Sequence, residues 1–368
     1  MHLLTTTRDT LLGPLQAVAG IVEKRHTLPI LSNVLLEKHG EHLTMLATDI
    51  EIQIRTTTAA ELGGSDAEIT VAARKLQDIL RALPDGAEVQ LNLDDKRLTV
   101  KAGKSRFALQ TLPATDYPRM NLPGSDNPCF GVTQKAFKRQ LAQVSYAMAQ
   151  QDIRYYLNGL LLIVADGELR MVATDGHRLA YAASPVATEL ARTEVILPRK
   201  TVMELARQLH DTDDELEIVL AGNQAVFRFG PVELVSKLID GKFPDYERVI
   251  PQNHPGLLTF PRAALLASLS RVAILTNDKF RGVRLVLGDG TLKIVSTNNE
   301  QEEAQEEIEV DYHGDPLDIG FNVTYLLDVL NNVSADAIEW RFADGNSSAL
   351  ITVPGDTGFK YVVMPMRI

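Results

Sequence analysis

The apolar positions of this chain follow two alternating rhythms. Leu11, Leu15 and Val18 stand at the spacing of one helix face, and Leu76, Ile79, Leu80 and Leu83 repeat it further on. Between and after them the pattern changes to the two-residue alternation of strands. The pattern predicts a helix over 8–20, strands near 28–38, 42–48, 50–58 and 67–72, and a second helix over 74–83. Strands near 87–93, 97–102 and 105–111 complete the set. Gly13 and Pro14 inside the first helical stretch predict a late start or a kink, because proline lacks the amide donor and clashes with the preceding turn.

The whole arrangement then returns twice, at a spacing of about 126 residues, the signature of an internal repeat. Phe137, Leu141 and Val144 repeat the first helix face, as do Leu265, Leu269 and Val272. The second face returns as Val202, Leu205, Ala206 and Leu209, and as Leu326, Val329, Leu330 and Val333. The strand running Leu43 to Asp49 returns as Leu169 to Asp175 and Leu292 to Asn298, each time ending in Thr-Asp or Thr-Asn. Three modules follow, at 1–125, 126–252 and 253–368, with boundaries at the Pro- and Gly-bearing stretches 117–124 and 251–256. Helices are expected over 8–20, 74–83, 133–150, 199–210, 261–276 and 323–333. The fold class is α+β: three similar modules, each with two helices packed on antiparallel sheets.

Composition narrows the setting. At 368 residues, 45% hydrophobic and 23% charged, the chain is neither disordered nor a small stapled scaffold. Its one cysteine, Cys129, excludes an intrachain disulfide and a cysteine-rich zinc site, and suits a reducing compartment. The first residues do not read as a signal peptide, and no apolar run is long enough to span a membrane, so a cytoplasmic protein with no membrane partner is expected.

Charge first argues against nucleic acid, with 37 basic residues against 48 acidic and a net charge of −11. Its distribution reverses that. The six expected helices carry twelve basic residues and four acidic ones, so the acidity lies in strands and loops. A basic helical side on an acidic body suits a track for a phosphate backbone without base reading. A second contrast concerns assembly. Lys101, Lys104 and Arg106 lie beside Phe107 and Leu109 on the last strands of module one. Glu300, Glu302, Glu303, Glu306, Glu307 and Glu309 make the densest acidic run of module three. A basic edge on one module and an acidic edge on another suggest head-to-tail contact between two copies, which a two-fold axis would close into a ring.

Catalytic constellations are missing. The chain has no Walker loop, no dinucleotide fingerprint, no nucleophile elbow and no zincin motif. His39 and His42 lack a third ligand, so no metal is expected, and no cofactor either. Asp175 and His177 form the best acid–base candidate. The Thr-Asp portion recurs in each module, however, which makes it architectural, and no nucleophile accompanies it; no catalytic residue is assigned. At the C-terminus, Met364, Pro365 and Met366 follow an apolar strand, and methionines suit an adaptable peptide groove.

Six segments carry a family resemblance: Thr27 to Leu31, Gln151 to Gly159, Ala173 to Leu179, Asp240 to Tyr246, Lys279 to Arg284, and the terminal Val-Met-Pro-Met-Arg-Ile. Together they resemble the bacterial DNA polymerase III beta subunits, the sliding clamps, from the first residue to the last. That resemblance implies a homodimeric ring around duplex DNA, gripped without sequence preference. It also implies tethering of the polymerase III catalytic subunit, the clamp loader and other polymerases through clamp-binding peptides.

The family's DNA contacts carry over to Arg25, Gln151, Tyr155, Tyr156, Arg199 and Lys200. Its dimer contacts carry over to Lys75, Lys104, Arg106, Phe107 and Leu109, facing Ile274, Leu275, Glu303 and Glu306. Its peptide pocket carries over to Leu157, Thr174, Gly176, His177, Arg178, Leu179, Pro244, Arg248 and Val249. The C-terminal side of that pocket is Asn322, Tyr325, Ser348, Val362, Met364, Pro365, Met366 and Arg367. Asn346 stands where the family leads one to expect an aliphatic residue, which alters one subsite. Two rival readings are an enzyme using Asp175 and His177, and a monomeric DNA-binding scaffold without ring closure.

Overall fold

Each helix of this chain begins where a strand ends, with no loop between them. The computed structural model describes residues 1–368 except 24–27, 60–62, 125, 126, 128, 189 and 277–280. Among the described residues there are six α-helices: α1 Arg8–Ala19, α2 Ala73–Ala82, α3 Gln134–Val144, α4 Arg199–Gln208, α5 Arg262–Val272 and α6 Val323–Asn332. The strands His2–Thr7, Ala67–Ala72, Cys129–Thr133, Thr193–Pro198, Gly256–Pro261 and Leu317–Asn322 lead directly into them. Thr7 and Asn322 make this switch by accepting amides of the first turn, from Thr10 and Thr324.

Sequence expectation and structure differ in several places; the strand expected near 28–38 opens as a 3-10 turn, Pro29–Ser32, and the helix expected over 261–276 ends at Val272. The first helix neither starts late nor waits for Pro14; it starts at Arg8 and carries Pro14 inside, because the Thr7 cap fixes its beginning. The helix expected over 133–150 stops at Val144 and continues only as a short 3-10 turn, Ser145–Ala147. The strand His2–Thr7, which the pattern missed, pairs with Glu88–Asp94; four of its six residues are not buried, so it shows little apolar alternation.

The chain folds as two units. The first, Met1–Lys135 with Met203–Leu238, is built on a twelve-stranded antiparallel sheet running from His2–Thr7 at one edge to Cys129–Thr133 at the other. In its interior Ile52–Ala59 pairs with Val232–Lys237, joining segments far apart in sequence. Leu11, Leu15 and Val18 of α1 and Leu76 and Leu80 of α2 are all buried, as their spacing predicted. Each such side chain contributes about 1.5–3 kcal/mol of apolar burial.

The second unit, Ala136–Val202 with Ile239–Ile368, has two sheets. An eight-stranded sheet runs from Thr193–Pro198 to Gly256–Pro261, and within it Arg178–Pro185 pairs with Asp356–Val363. A four-stranded sheet runs from Glu303–Glu309 through Thr291–Thr297 and Gly282–Gly288 to Leu317–Asn322. Every recorded pairing between strands of the described residues is antiparallel. No helix of the described residues is long and apolar enough to cross a membrane.

Candidate functional site

The end of the chain is fastened down rather than trailing. The Met364 amide donates to His177 O at 2.9 Å and the Met366 amide to Gly320 O at 2.8 Å. A Cβ on Gly320 would stand 2.5 Å from Met366 O, so only glycine permits this approach. Ile368 packs over Gly282 and Gly320, leaving Met364 and Met366 48% and 40% exposed. Two adaptable apolar side chains thus stand on a fixed backbone, beside the loop Thr174–Arg178.

That loop is stiffened from within. Asp175 Oδ1 accepts the amides of His177 and Arg178, and Thr174 Oγ1 donates to Arg178 O at 2.6 Å. Gly176 takes φ +91°, which favours glycine, with the Arg154 guanidinium directly over it. The Asp175 carboxylate is also engaged by Arg178 Nε at 3.2 Å, so it orders a turn instead of orienting the His177 ring. The acid–base pair considered from sequence is therefore not assembled.

Arg178 is the hub of this corner. Its side chain is 9% exposed and pairs with Asp175 and, at 2.5 Å, with Asp328 of α6. It also donates to Tyr146 O at 2.6 Å and lies over the Tyr325 ring, 4.4 Å from its centroid. Burial works against its charge, but Tyr361 and the Asp328 carboxylate outweigh that effect and hold its proton above the ordinary arginine value. Tyr361, buried itself and raised chiefly by that burial, donates to Tyr325 O at 2.8 Å. Asp328, Tyr146 and Tyr361 escaped sequence reasoning. Asp328 lies three positions after Tyr325 and so on the same helix side, the only local sign of the pairing.

The remaining pocket candidates sort by exposure. Leu157, Leu179 and Val362 are buried in one core cluster. Pro244, Arg248 and Val249 are exposed, with Arg248 paired to Asp245 at 2.8 Å. Ser348 O meets the His254 ring at 2.7 Å, and Asn322 is spent on capping α6. Arg367 is exposed and Pro365 half-buried. Asn346 is exposed in a turn, and its amide donates to Asp344 Oδ1.

A second cluster gathers at the loop before Tyr155–Leu157. Asp152 and Asn158 close it with reciprocal bonds of 2.9 Å. Arg154 clamps Asp152, and its side-chain hydrogen bond holds that carboxyl down at about 2. Gln151, at φ +55°, and Tyr155 are exposed, and the Tyr155 and Tyr156 rings meet edge to face. The Arg199 amide donates to Asn158 O, placing the start of α4 at the same corner, with Lys200 next to it. Arg199 is half-buried, and burial lowers its proton affinity. Ile153, 96% exposed at the tip, was not singled out from sequence. Arg25 lies outside the described residues.

The dimer candidates stand on two strand edges. Residues 105–110 of Ser105–Pro113 pair with Arg97–Ala102 on one side, while Ala67–Ala72 reaches only residues 111–113. Lys104 and Arg106 are exposed there, as is Lys75 on α2; Phe107 is half-buried, and Leu109 is already buried in its own unit. Glu303–Glu309 is likewise an edge, paired among the described residues only with Thr291–Thr297. Glu303 is exposed, whereas Glu306 is already bonded to Arg271, which lowers its pKa. Leu275 is half-buried, and its neighbour Ile274 is 76% exposed.

Comparison with known proteins agrees along the whole chain. Family models of the DNA polymerase III beta subunit match its N-terminal domain at residues 1–123, its central domain at 131–245 and its C-terminal domain at 247–367. The beta sliding clamp of Pseudomonas aeruginosa is 48% identical over 100% of both chains. That of Escherichia coli K12 is 43% identical over 99% of both. A crystal structure of the P. aeruginosa subunit superposes with a TM-score of 0.95 at 47% identity, covering 100% of each chain. Another, of the P. aeruginosa clamp bound to griselimycin, gives 0.95 at 48% with the same coverage. Identity at this level over full length leaves no part of the chain outside the match: it belongs to the DNA polymerase III beta subunit family, the beta sliding clamps.

Proposed function

We propose that two copies of this chain close head to tail into a ring around duplex DNA and tether polymerases by short peptides. The observation that carries ring closure is the presence of two open strand edges of opposite charge. Residues 105–110, with Lys104 and Arg106, form one; Glu303–Glu309 forms the other. Open edges are templates for pairing, and a monomer would normally blunt them. Under a two-fold axis each edge meets its complement twice, so the assembly closes without leftover edges. Lys75, Phe107 and Leu109 back the first edge; Ile274, Leu275, Glu303 and Glu306 back the second.

DNA is held loosely inside, through Arg25, Gln151, Tyr155, Tyr156, Arg199 and Lys200, by contacts that read phosphate and not base. The three modules at 1–125, 126–252 and 253–368 supply six similar segments to the ring. Peptides of the polymerase III catalytic subunit, the clamp loader and other polymerases seat against Thr174–Leu179, Pro244–Val249 and Met364–Arg367. The griselimycin-bound state of the P. aeruginosa clamp is consistent with a ligand groove in this family. The protein acts in the cytoplasm as a processivity factor and not as an enzyme.

The test is topological. The protein, loaded on nicked circular DNA and freed of unbound material by gel filtration, should stay with the circle and leave when the circle is cut. Retention after linearisation would favour a monomeric scaffold and overturn the ring.

A further inference from the structure

The loop Thr48–Ile52 of the first unit repeats Thr174–Arg178 bond for bond. Thr48 Oγ1 donates to Ile52 O at 2.9 Å, as Thr174 Oγ1 does to Arg178 O. The amides of Ile50 and Gly176 donate to those two hydroxyls at 2.9 and 3.1 Å. Asp49 Oδ1 accepts the amides of Glu51 and Ile52, as Asp175 Oδ1 accepts those of His177 and Arg178. Most tellingly, the Lys237 amide donates to Glu51 O at 2.9 Å, the counterpart of the Met364 amide on His177 O at 2.9 Å. Lys237 therefore holds the place of Met364. By the same strand registers Gln224 holds that of Ser348. The segment Tyr117–Met120 corresponds to Tyr246–Val249, each tyrosine buried in the matching core cluster.

The positions that form the peptide groove of the second unit thus recur in the first, and they enclose a space there. A cavity of about 260 Å³ opens between Ile50, Arg119, Met120, Gln224 and Lys237. A neighbouring cavity of about 180 Å³ shares Arg119 and Met120 and adds Arg55 and Leu122. Ile50 sits in it at φ +71° and is 41% exposed. A β-branched residue in the left-handed region is strained.

We propose that this cavity is a second peptide site, for an extended segment in which an aliphatic residue neighbours an acidic one. The inference rests on the peptide-groove reading above. Ile50 and Met120 would grip the aliphatic side chain. Lys237, where the other groove has a methionine, changes that subsite from apolar to cationic; Arg119 and Arg55 carry further positive charge beside the Glu37 and Glu233 carboxylates that line the neighbouring cavity with them. Lys237 and Arg119 are now paired to Glu51, Glu37 and Glu68, of which Glu51 and Glu68 are well exposed. Exposed pairs exchange partners at little cost. Arg55 is exposed and has no ion pair among the described residues.

The probe is acetyl-Asp-Leu-Asp-Leu-Asp amide, titrated into the full chain with labelled Ile and Met methyl groups. Ile50 and Met120 signals should shift and saturate, while a control peptide with serine for leucine leaves them in place. Lys237→Glu should weaken binding about tenfold. Lys237→Met should move the preference of this site to an all-apolar peptide, which a merely structural lysine would not do. Ile50→Gly relieves the backbone and should keep the fold while losing the aliphatic grip. An apolar peptide read at Met364 and Met366 separates the two sites. Shifts there without any at Ile50 and Met120 overturn the second site alone; no shift at either pair overturns the peptide-groove reading as well.

Discussion

Arg178 shows how a single side chain can join a loop to a helix. It ties the Thr174–Arg178 loop to α6 through Asp328 and supports the Tyr325 ring from below. Removing a buried partner leaves its carboxylates uncompensated, which costs more than the bond itself was worth. Arg178→Met should therefore destabilise the protein by about 3 kcal/mol in urea unfolding, with Asp328 a third exposed and so limiting the loss. Asp328→Asn keeps a hydrogen-bond acceptor and should cost only about 1 kcal/mol while still weakening peptide binding. Asp152 makes a different prediction. Its carboxyl is held at about 2 by Arg154, against an ordinary 3.8. A depressed carboxyl favours the ordered loop above its ordinary value and ceases to do so as pH falls through the lower one. The protection factor of the Arg154 amide, which removes the intrinsic pH dependence of exchange, should then be unchanged from pH 7 to 5 and fall between about 4 and 2. A fall already at pH 5–6 would mean that Asp152 does not hold the loop.

At the scale of elements, the two open edges differ in how free their charges are. Arg106 and Lys104 have no ion pair among the described residues, and Glu303 is exposed, but Glu306 is already spent on Arg271. Glu303→Lys should therefore weaken dimerisation more than Glu306→Lys, by about tenfold against a few-fold, and Arg106→Glu combined with Glu303→Lys should restore part of it. Sedimentation of the dimer at falling concentration would measure all three. Equal losses from both glutamates would show that Arg271 gives up Glu306 on assembly. These edges are partly legible in the amino-acid sequence, because charge runs and strand alternation are local features. The threefold repeat is legible for the same reason: Leu11, Phe137 and Leu265 sit on the same periodic face and are buried alike. What stays hidden is non-local. Pairing of Ile52–Ala59 with Val232–Lys237, and of Arg178 with Asp328, 150 positions apart, leaves no mark on hydrophobic periodicity. The strand His2–Thr7 stays hidden because its side chains are mostly not buried, so its alternation is weak.

At the scale of the whole molecule, a net charge of −11 limits how tightly DNA can be held by attraction alone. The helix cations seen in sequence are not all available for it. Arg8, Arg74 and Arg262 donate to backbone carbonyls, and Arg207 is paired with Glu204, so they are part of the framework. Lys75, Arg81 and Lys135 remain exposed. With so few free cations on its helices, the protein should bind short linear duplexes weakly. Each phosphate engaged steepens the salt dependence by about 0.9 in log–log slope, and Lys200→Ala should reduce it by about 1. Retention on a closed circle has another origin, since escape requires the ring to open and not merely the phosphate contacts to break. Salt that removes the protein from linear DNA should leave it on circles, and Lys200→Ala should not shorten its stay there. If the variant lost circles and linear fragments in equal proportion, attraction and not encirclement would be holding the DNA.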